Sequence, residues 1–202
     1  MLVKIALVIP NLNLGGAERQ IAILACGLSE RGYDVRVVVF DPFGQWKEEL
    51  ENKGIVVSVL PYRRFLKVFS LVLGLVNLIR KDKFDVVYSF LPNANLVTGF
   101  VKLFCKRCRV YWGVRASNLP MERYSYKARF VRWLEGTFAF LPDGIVTNSY
   151  AARENCKSRG FPDRTLTVIA NGFVTDYFRP DFEMRRRVRK EWGIAPDEIL
   201  IG

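Results

Sequence analysis

Apolar positions along this chain alternate between two rhythms. Short strand-like stretches occupy residues 3–9, 35–40, 55–60, 84–89, 109–114, 143–148 and 165–170, the first of them a nearly continuous apolar run. Between them, apolar residues recur at helical spacing over 17–31, 45–53, 65–80, 95–105, 124–140 and 150–159. The first helical segment shows Ile21, Leu24, Ala25 and Leu28 on one stripe, and Gly32 and Gly54 close the first two segments. Runs that are apolar throughout, not alternating, predict parallel strands covered on both faces. Strands taking turns with helices predict an open parallel sheet of the α/β class, with right-handed crossovers.

The rhythm breaks after Asn171-Gly172. Residues 176–180 are irregular and end in proline, and 182–192 form a short, strongly basic helical pattern ended by Gly193. Residues 199–202 look like a strand that starts as the chain stops. We therefore expect 1–175 to be one domain, and 176–202 to be the linker, basic helix and first strand of a truncated second one. A secretory leader is not expected, because the apolar run 5–9 is too brief. The longest apolar stretch, 65–79, is interrupted by Lys67 and Asn77 and falls short of the roughly 20 residues of a spanning helix. The expected location is cytoplasmic.

Cysteine usage and charge narrow the chemistry. Cys26, Cys105, Cys108 and Cys156 are the four cysteines, and the chain has no histidine. Cys105 and Cys108 form a lone Cys-x-x-Cys, so a structural zinc site lacks ligands and no metal is expected. A redox pair stays open, but buried thiols acting as small hydrophobes are the favoured reading. The formal charge is +11, and between Tyr62 and Arg132 fifteen Lys or Arg face three Asp or Glu. Nucleic acid, an anionic membrane or a phosphorylated substrate would suit such a surface, as would plain solvation. Arg63, Arg64 and Lys67 lie among Phe65 and Phe69, and Tyr124, Tyr126, Phe130 and Trp133 lie among Lys127, Arg129 and Arg132. Cations mixed with aromatics fit a helix lying on an anionic membrane, here the inner leaflet, or RNA stacking. Core packing is the competing use of those rings, and for Trp133 it is preferred.

In an open α/β sheet, ligands bind beyond the carboxyl ends of the strands. After the first strand, Gly15 and Gly16 open a helix whose free amides can meet phosphate; a plain tight turn is the alternative. Gly-x-Gly-x-x-Gly is absent from that loop, which removes the dinucleotide-binding reading despite Asp41, and no P-loop occurs. Asn93, Asn95, Arg115, Ser117, Asn118, Asn148, Ser149, Asn171 and Gly172 stand at the other strand ends. Arg115 cannot act as a base at neutral pH, but its fork suits a phosphate. Asn95, Asn148 and Ser149 can instead be helix caps, and Asn171 a turn residue.

Val8-Ile-Pro-Asn-Leu-Asn-Leu-Gly-Gly-Ala-Glu-Arg-Gln20, with Leu28-Ser-Glu-Arg-Gly-Tyr-Asp-Val35 after it, resembles the opening of family 4 glycosyltransferases. Asp85-Val-Val-Tyr-Ser-Phe-Leu-Pro-Asn-Ala-Asn95, Trp112-Gly-Val-Arg-Ala-Ser-Asn118 and Thr147-Asn-Ser149 are similar to later segments of that family in the same order. Val168-Ile-Ala-Asn-Gly-Phe-Val-Thr-Asp-Tyr-Phe-Arg-Pro180 resembles its Asn-Gly hinge. The resemblance implies a Rossmann-like open parallel sheet with helices on both faces, the N-terminal half of a GT-B fold. It implies an enzyme that moves a sugar from a nucleotide-sugar to a hydroxyl acceptor, with retention and with neither metal nor cofactor. The acceptor is expected to be a lipid-linked glycan or a polysaccharide precursor. Gly15 and Gly16 would then face donor phosphates, and Asn93 and Arg115 are the catalytic candidates. Asn95, Ser117, Asn118, Asn148 and Ser149 would orient the acceptor, and Asn171 and Gly172 would be the hinge. Many relatives have a histidine where this chain has Asn93. The family's glutamate pair belongs to a C-terminal domain that these residues do not include, so this stretch alone is expected to be inactive or nearly so. The rival classes are a non-catalytic basic domain binding nucleic acid or an anionic ligand, and a nucleotide-dependent epimerase.

Overall fold

The computed structural model describes residues 2–62, 66–115, 125–175 and 178–201. Strands and helices alternate as β1 (Lys4–Ile9), α1 (Gly16–Glu30), β2 (Asp34–Val39), α2 (Gln45–Asn52), β3 (Val56–Val59) and α3 (Lys67–Asp82). The series continues through β4 (Val86–Phe90), α4 (Pro92–Phe104), β5 (Arg109–Val114), α5 (Tyr126–Thr137), β6 (Gly144–Thr147), α6 (Tyr150–Ser158) and β7 (Leu166–Val168). All strands are parallel, in the order β3-β2-β1-β4-β5-β6-β7. That order reverses direction between β1 and β4, which is where such sheets open a crevice.

The central strands β1, β2 and β4 feed two cores. On β1, Ile5, Leu7 and Ile9 pack towards Ile21 and Ala25 of α1 and Leu50 of α2. Ala6 and Val8 face the other way, towards Leu75 and Ile79 of α3 and Val97 and Val101 of α4. The period of two along a strand puts neighbours on opposite faces, so a run apolar at every position serves both helical layers. Gly44, between β2 and α2, lets the loop after β1 close down: a Cβ there would stand 2.2 Å from the Leu12 carbonyl carbon. The Trp46 amide accordingly donates to the Leu12 carbonyl at 3.1 Å.

Compact units divide between Asn171 and Gly172. In the second, α7 (Phe182–Glu191) is capped by Asp181, whose carboxylate accepts from the amides of Glu183 and Met184 at 3.0 and 2.8 Å. Arg189 holds the carbonyls of Ala195 and Glu198. No strand forms over 199–201, contrary to the sequence expectation. A β-strand needs a hydrogen-bonding neighbour, and a unit with one helix offers none. Trp133 is a second correction: it is 62% exposed and stacks on Phe130 at 5.7 Å instead of entering the core.

The thiols belong to the packing. Cys105, Cys108 and Cys156 are buried and unbridged, and Cys26 is half-buried. Burial pushes the Cys108 thiol up to about 12, with Cys105 adding to the effect, and burial likewise takes Cys156 to about 11. A thiolate is the reactive form, so native alkylation at pH 8 should spare Cys108 and Cys156 until the chain unfolds. Peptide mapping after iodoacetamide checks this; full modification in native buffer would refute the burial. The sign for stability follows: these neutral thiols favour the fold fully below their ordinary value of 9.0. That contribution fades as the pH rises through about 11 and about 12.

Candidate functional site

The carboxyl ends of β1, β4, β5, β6 and β7 lie along one edge of the sheet because every strand points the same way. The loop leaving β1 is pinned from beneath. The amides of Phe40 and Asp41 both donate to the Pro10 carbonyl at 3.0 Å, and Leu12 is 1% exposed. Gly15 is the N-cap of α1 and Gly16 its first residue; both are exposed at this edge. The first turn of a helix leaves amides without carbonyl partners, which suits an anion. Glu18 already turns its carboxylate back there: a Cβ on Gly15 would be 2.2 Å from Glu18 Oε2.

β4 passes into α4 with one intervening residue, Leu91, and that residue is strained. Its φ of 75° and ψ of 149° lie where only glycine is at ease. Pro92 at the first helical position presets α4 and cannot itself relieve the turn. Strain of this kind costs on the order of 1–3 kcal/mol, and it tends to gather at functional edges. Here it sits at the reversal of strand order and sets Asn93, exposed, in the first turn of α4.

Arg115 follows β5 and folds back over β4. Its Nη2 donates to the Tyr88 hydroxyl and its Nη1 to Asn171 Oδ1, both at 2.9 Å. The guanidinium carbon stands 4.5 Å from the centre of the Phe90 ring. Gly113 makes the arrangement possible, since a Cβ there would come within 3.4 Å of the Tyr88 ring and 3.0 Å of the Ser89 carbonyl. Burial pushes the Tyr88 phenol above its ordinary value, although the Arg115 cation beside it pulls the other way. The phenol therefore stays neutral and accepts from arginine. Two of the five guanidinium N–H groups are taken by neutral partners. Among the described residues no carboxylate lies in ion-pair reach of Arg115.

Asn95 is elsewhere. α4 begins at Pro92, three residues before the expected start, and three residues turn a helix by about 300°. Asn95 is consequently 0% exposed and faces inward, neither a cap nor a group that can meet an acceptor. Its Nδ2 donates to Glu135 Oε1 at 2.7 Å, and its Oδ1 accepts from the Ser89 hydroxyl at 2.8 Å. Ser89 also pairs with the Thr98 hydroxyl at 2.8 Å. Glu135, itself 0% exposed, takes Arg159 Nη2 on its other oxygen at 2.8 Å.

The remaining candidates separate in the same way. Ser149 caps α6, its hydroxyl accepting from the Ala152 amide at 3.1 Å. Asn148 is half-buried, its Nδ2 3.4 Å from the Arg115 carbonyl, and its Oδ1 is buried without a hydrogen bond among the described residues. Asn171 is more than a turn residue, because it orients Arg115; Gly172 begins the second unit. Ser117 and Asn118 lie outside the described residues. The edge thus unites Arg115, Asn148 and Asn171 and adds Tyr88 and Phe90, which the sequence reading passed over. The alternation Tyr88, Phe90 on one strand with a glycine before Arg115 on the next was the available signal.

An arginine with no counter-charge among the described residues and a helix opened by two glycines suit an anionic ligand. The family model Glycosyltransferase Family 4 matches residues 14–177. The chain belongs to Glycosyltransferase Family 4. Among solved structures, Anabaena HepE in complex with UDP-glucose superposes with a TM-score of 0.77 at 22% identity, covering 96% of this chain and 50% of HepE. A glycosyltransferase from Rickettsia africae follows with 0.72 at 16% identity, covering 97% and 51%. The lipopolysaccharide outer core galactosyltransferase WaaB gives 0.63 at 15%, covering 85% and 46%. No curated protein sequence matches. The chain spans about half the length of these structures.

The sheet of this Glycosyltransferase Family 4 member is Rossmann-like and matches the N-terminal half of GT-B glycosyltransferases. Family membership also sorts the motifs. The glycine pair and the Arg115 edge lie inside the matched range, as does the Asn171-Gly172 boundary between units.

Proposed function

We propose that the chain is the acceptor-side half of a retaining glycosyltransferase that moves a hexose from a nucleotide-sugar to a hydroxyl of a lipid-linked glycan or polysaccharide precursor. Arg115 carries the reading. Its cation is anchored by Tyr88, Asn171 and Phe90, and no described carboxylate neutralises it. An arginine never gives up its proton at neutral pH, so its role is to hold negative charge, with the fork matching a phosphate. Gly15 and Gly16 bring backbone amides to the same edge for a diphosphate, and Asn93 offers an exposed amide beside it. Neither metal nor cofactor enters this reading. Donor and acceptor must be oriented together, so residues 1–202 alone should turn over little.

Aromatic and cationic side chains share the outer faces of α3 and α5. Phe69, Tyr126, Phe130 and Trp133 are all more than half exposed, and Arg129 stands over the Tyr126 ring at 5.9 Å. Such a face favours contact with an anionic inner leaflet, where a lipid-linked acceptor would reside.

The whole protein, supplied with nucleotide-sugars and a lipid-linked acceptor, should release nucleoside diphosphate and give a product with the donor's anomeric configuration by NMR. Absence of release from every nucleotide-sugar, together with salt-steep RNA binding, would establish the nucleic-acid alternative instead.

A further inference from the structure

Behind the carboxyl edge, five side chains share one hydrogen-bond network. Ser89 near the end of β4, Asn95 and Thr98 on α4 and Glu135 on α5 are each 0% exposed, and Arg159 follows α6. Asn95 sits at the centre. Its Oδ1 accepts from the Ser89 hydroxyl, and its Nδ2 meets Glu135 and, at 3.4 Å, the Gly113 carbonyl. The Ser89 hydroxyl also lies 2.8 Å from the Thr98 hydroxyl and 3.4 Å from the Tyr111 carbonyl. The network therefore touches β5 at Tyr111 and Gly113, just before Arg115. It also brackets the strained turn at Leu91. The Asn95 backbone amide donates to the Leu91 carbonyl at 2.9 Å, while the Asn95 side chain holds Ser89 ahead of it.

We propose that Asn95, held by Glu135, is a positioning residue for sugar transfer: it sets the backbone that carries Asn93 on one side and Arg115 on the other. The inference rests on the sugar-transfer reading above. Stability alone does not account for the network. Burying a carboxylate, a guanidinium, an amide and two hydroxyls costs solvation, and apolar side chains of similar size often hold a core as well or better. Hydrogen bonds add what apolar contacts lack, a fixed direction and length. That difference matters here, because a leucine at positive φ persists only when its surroundings over-determine it. Pro92 has no amide with which to help. Asn95 supplies the restraint from within α4, tying the end of β4 to the end of β5. A misplacement of about 1 Å in a positioned group is enough to cost about 10²-fold in rate.

Two double variants differ in the acceptor they offer to Asn95 Nδ2. Glu135→Leu with Arg159→Met removes it, whereas Glu135→Gln with Arg159→Met keeps a carbonyl oxygen there. Neither leaves one charge of the pair buried alone, so both should fold, which thermal unfolding checks. In the whole protein the leucine form should lower kcat about 10–100-fold, with the donor KM within about twofold of the parent. The glutamine form should recover most of that loss. A readout independent of turnover is the nitrogen-15 NMR spectrum of the 202-residue chain, followed at Arg115 Nε–H and the Asn93 side-chain amide. Both signals should move in the leucine form and return towards the parent in the glutamine form. If the leucine form fails to fold, Ser89→Ala removes only the donor to Asn95 Oδ1, and it should move the same signals and lower kcat. Unmoved signals in a folded variant overturn the inference, as does an unchanged kcat or an equal loss in both double variants. Signals that move and are restored, in a protein that releases no nucleoside diphosphate from any nucleotide-sugar, uphold the positioning and overturn sugar transfer instead.

Discussion

Glu135→Ala should destabilise the chain by about 3–5 kcal/mol, the usual loss when one partner of a buried ion pair is removed. Glu135 is 0% exposed, and its oxygens are held by Asn95 Nδ2 at 2.7 Å and Arg159 Nη2 at 2.8 Å. Alanine would leave the Arg159 guanidinium, 18% exposed, and the fully buried Asn95 amide without their carboxylate partner, with only the Arg132 and Gly113 carbonyls left to accept. For a domain of this size each kcal/mol lowers the melting temperature by roughly 2–4 °C. Replacing the pair together, Glu135→Leu with Arg159→Met, should recover most of the loss, because no charge remains buried alone. Thermal and urea unfolding followed by circular dichroism compare the three. A Glu135→Ala chain that melts within a degree or two of the parent would show that the network adds nothing to stability.

The second large effect concerns activity. Arg115→Ala should lower sugar transfer by the whole protein about 10²–10³-fold, as when one donor to a developing anion is removed. Among the described residues its guanidinium touches neutral groups only, so its loss strands no described buried charge and the melting temperature should hardly move. Arg115→Lys should recover little. An ammonium keeps the charge but loses the fork that binds Tyr88, Asn171 and a ligand oxygen at once. Steady-state kcat and KM for the donor separate positioning from binding. Transfer within threefold of the parent in Arg115→Ala would remove Arg115 from the mechanism.

How much of this was legible beforehand differs element by element. All seven strands were visible in the sequence, most plainly β1, which is buried on both faces and has nowhere to place a polar side chain. Arg115 was visible too, as a charged residue just beyond the end of β5. Its partners were not. Tyr88 and Phe90 belong to another strand, and only the register Phe90 to Gly113 brings them beneath the guanidinium. Leu91 gave no sign of its backbone conformation, since leucine has no preference for positive φ.

Asn95 shows the limit most clearly. An asparagine near a helix start reads as a cap, yet moving the start to Pro92 turns it inward to Glu135, forty residues away in sequence. Local pattern thus determined which segments are strands and helices and that the sheet is parallel, because these depend on periodicity and chain direction. The tertiary structure decided which polar groups gather around Arg115 at the carboxyl edge and which are buried in a charged network. Those depend on the packing angles and hydrogen-bond partners of residues distant in sequence, and periodicity carries no record of either.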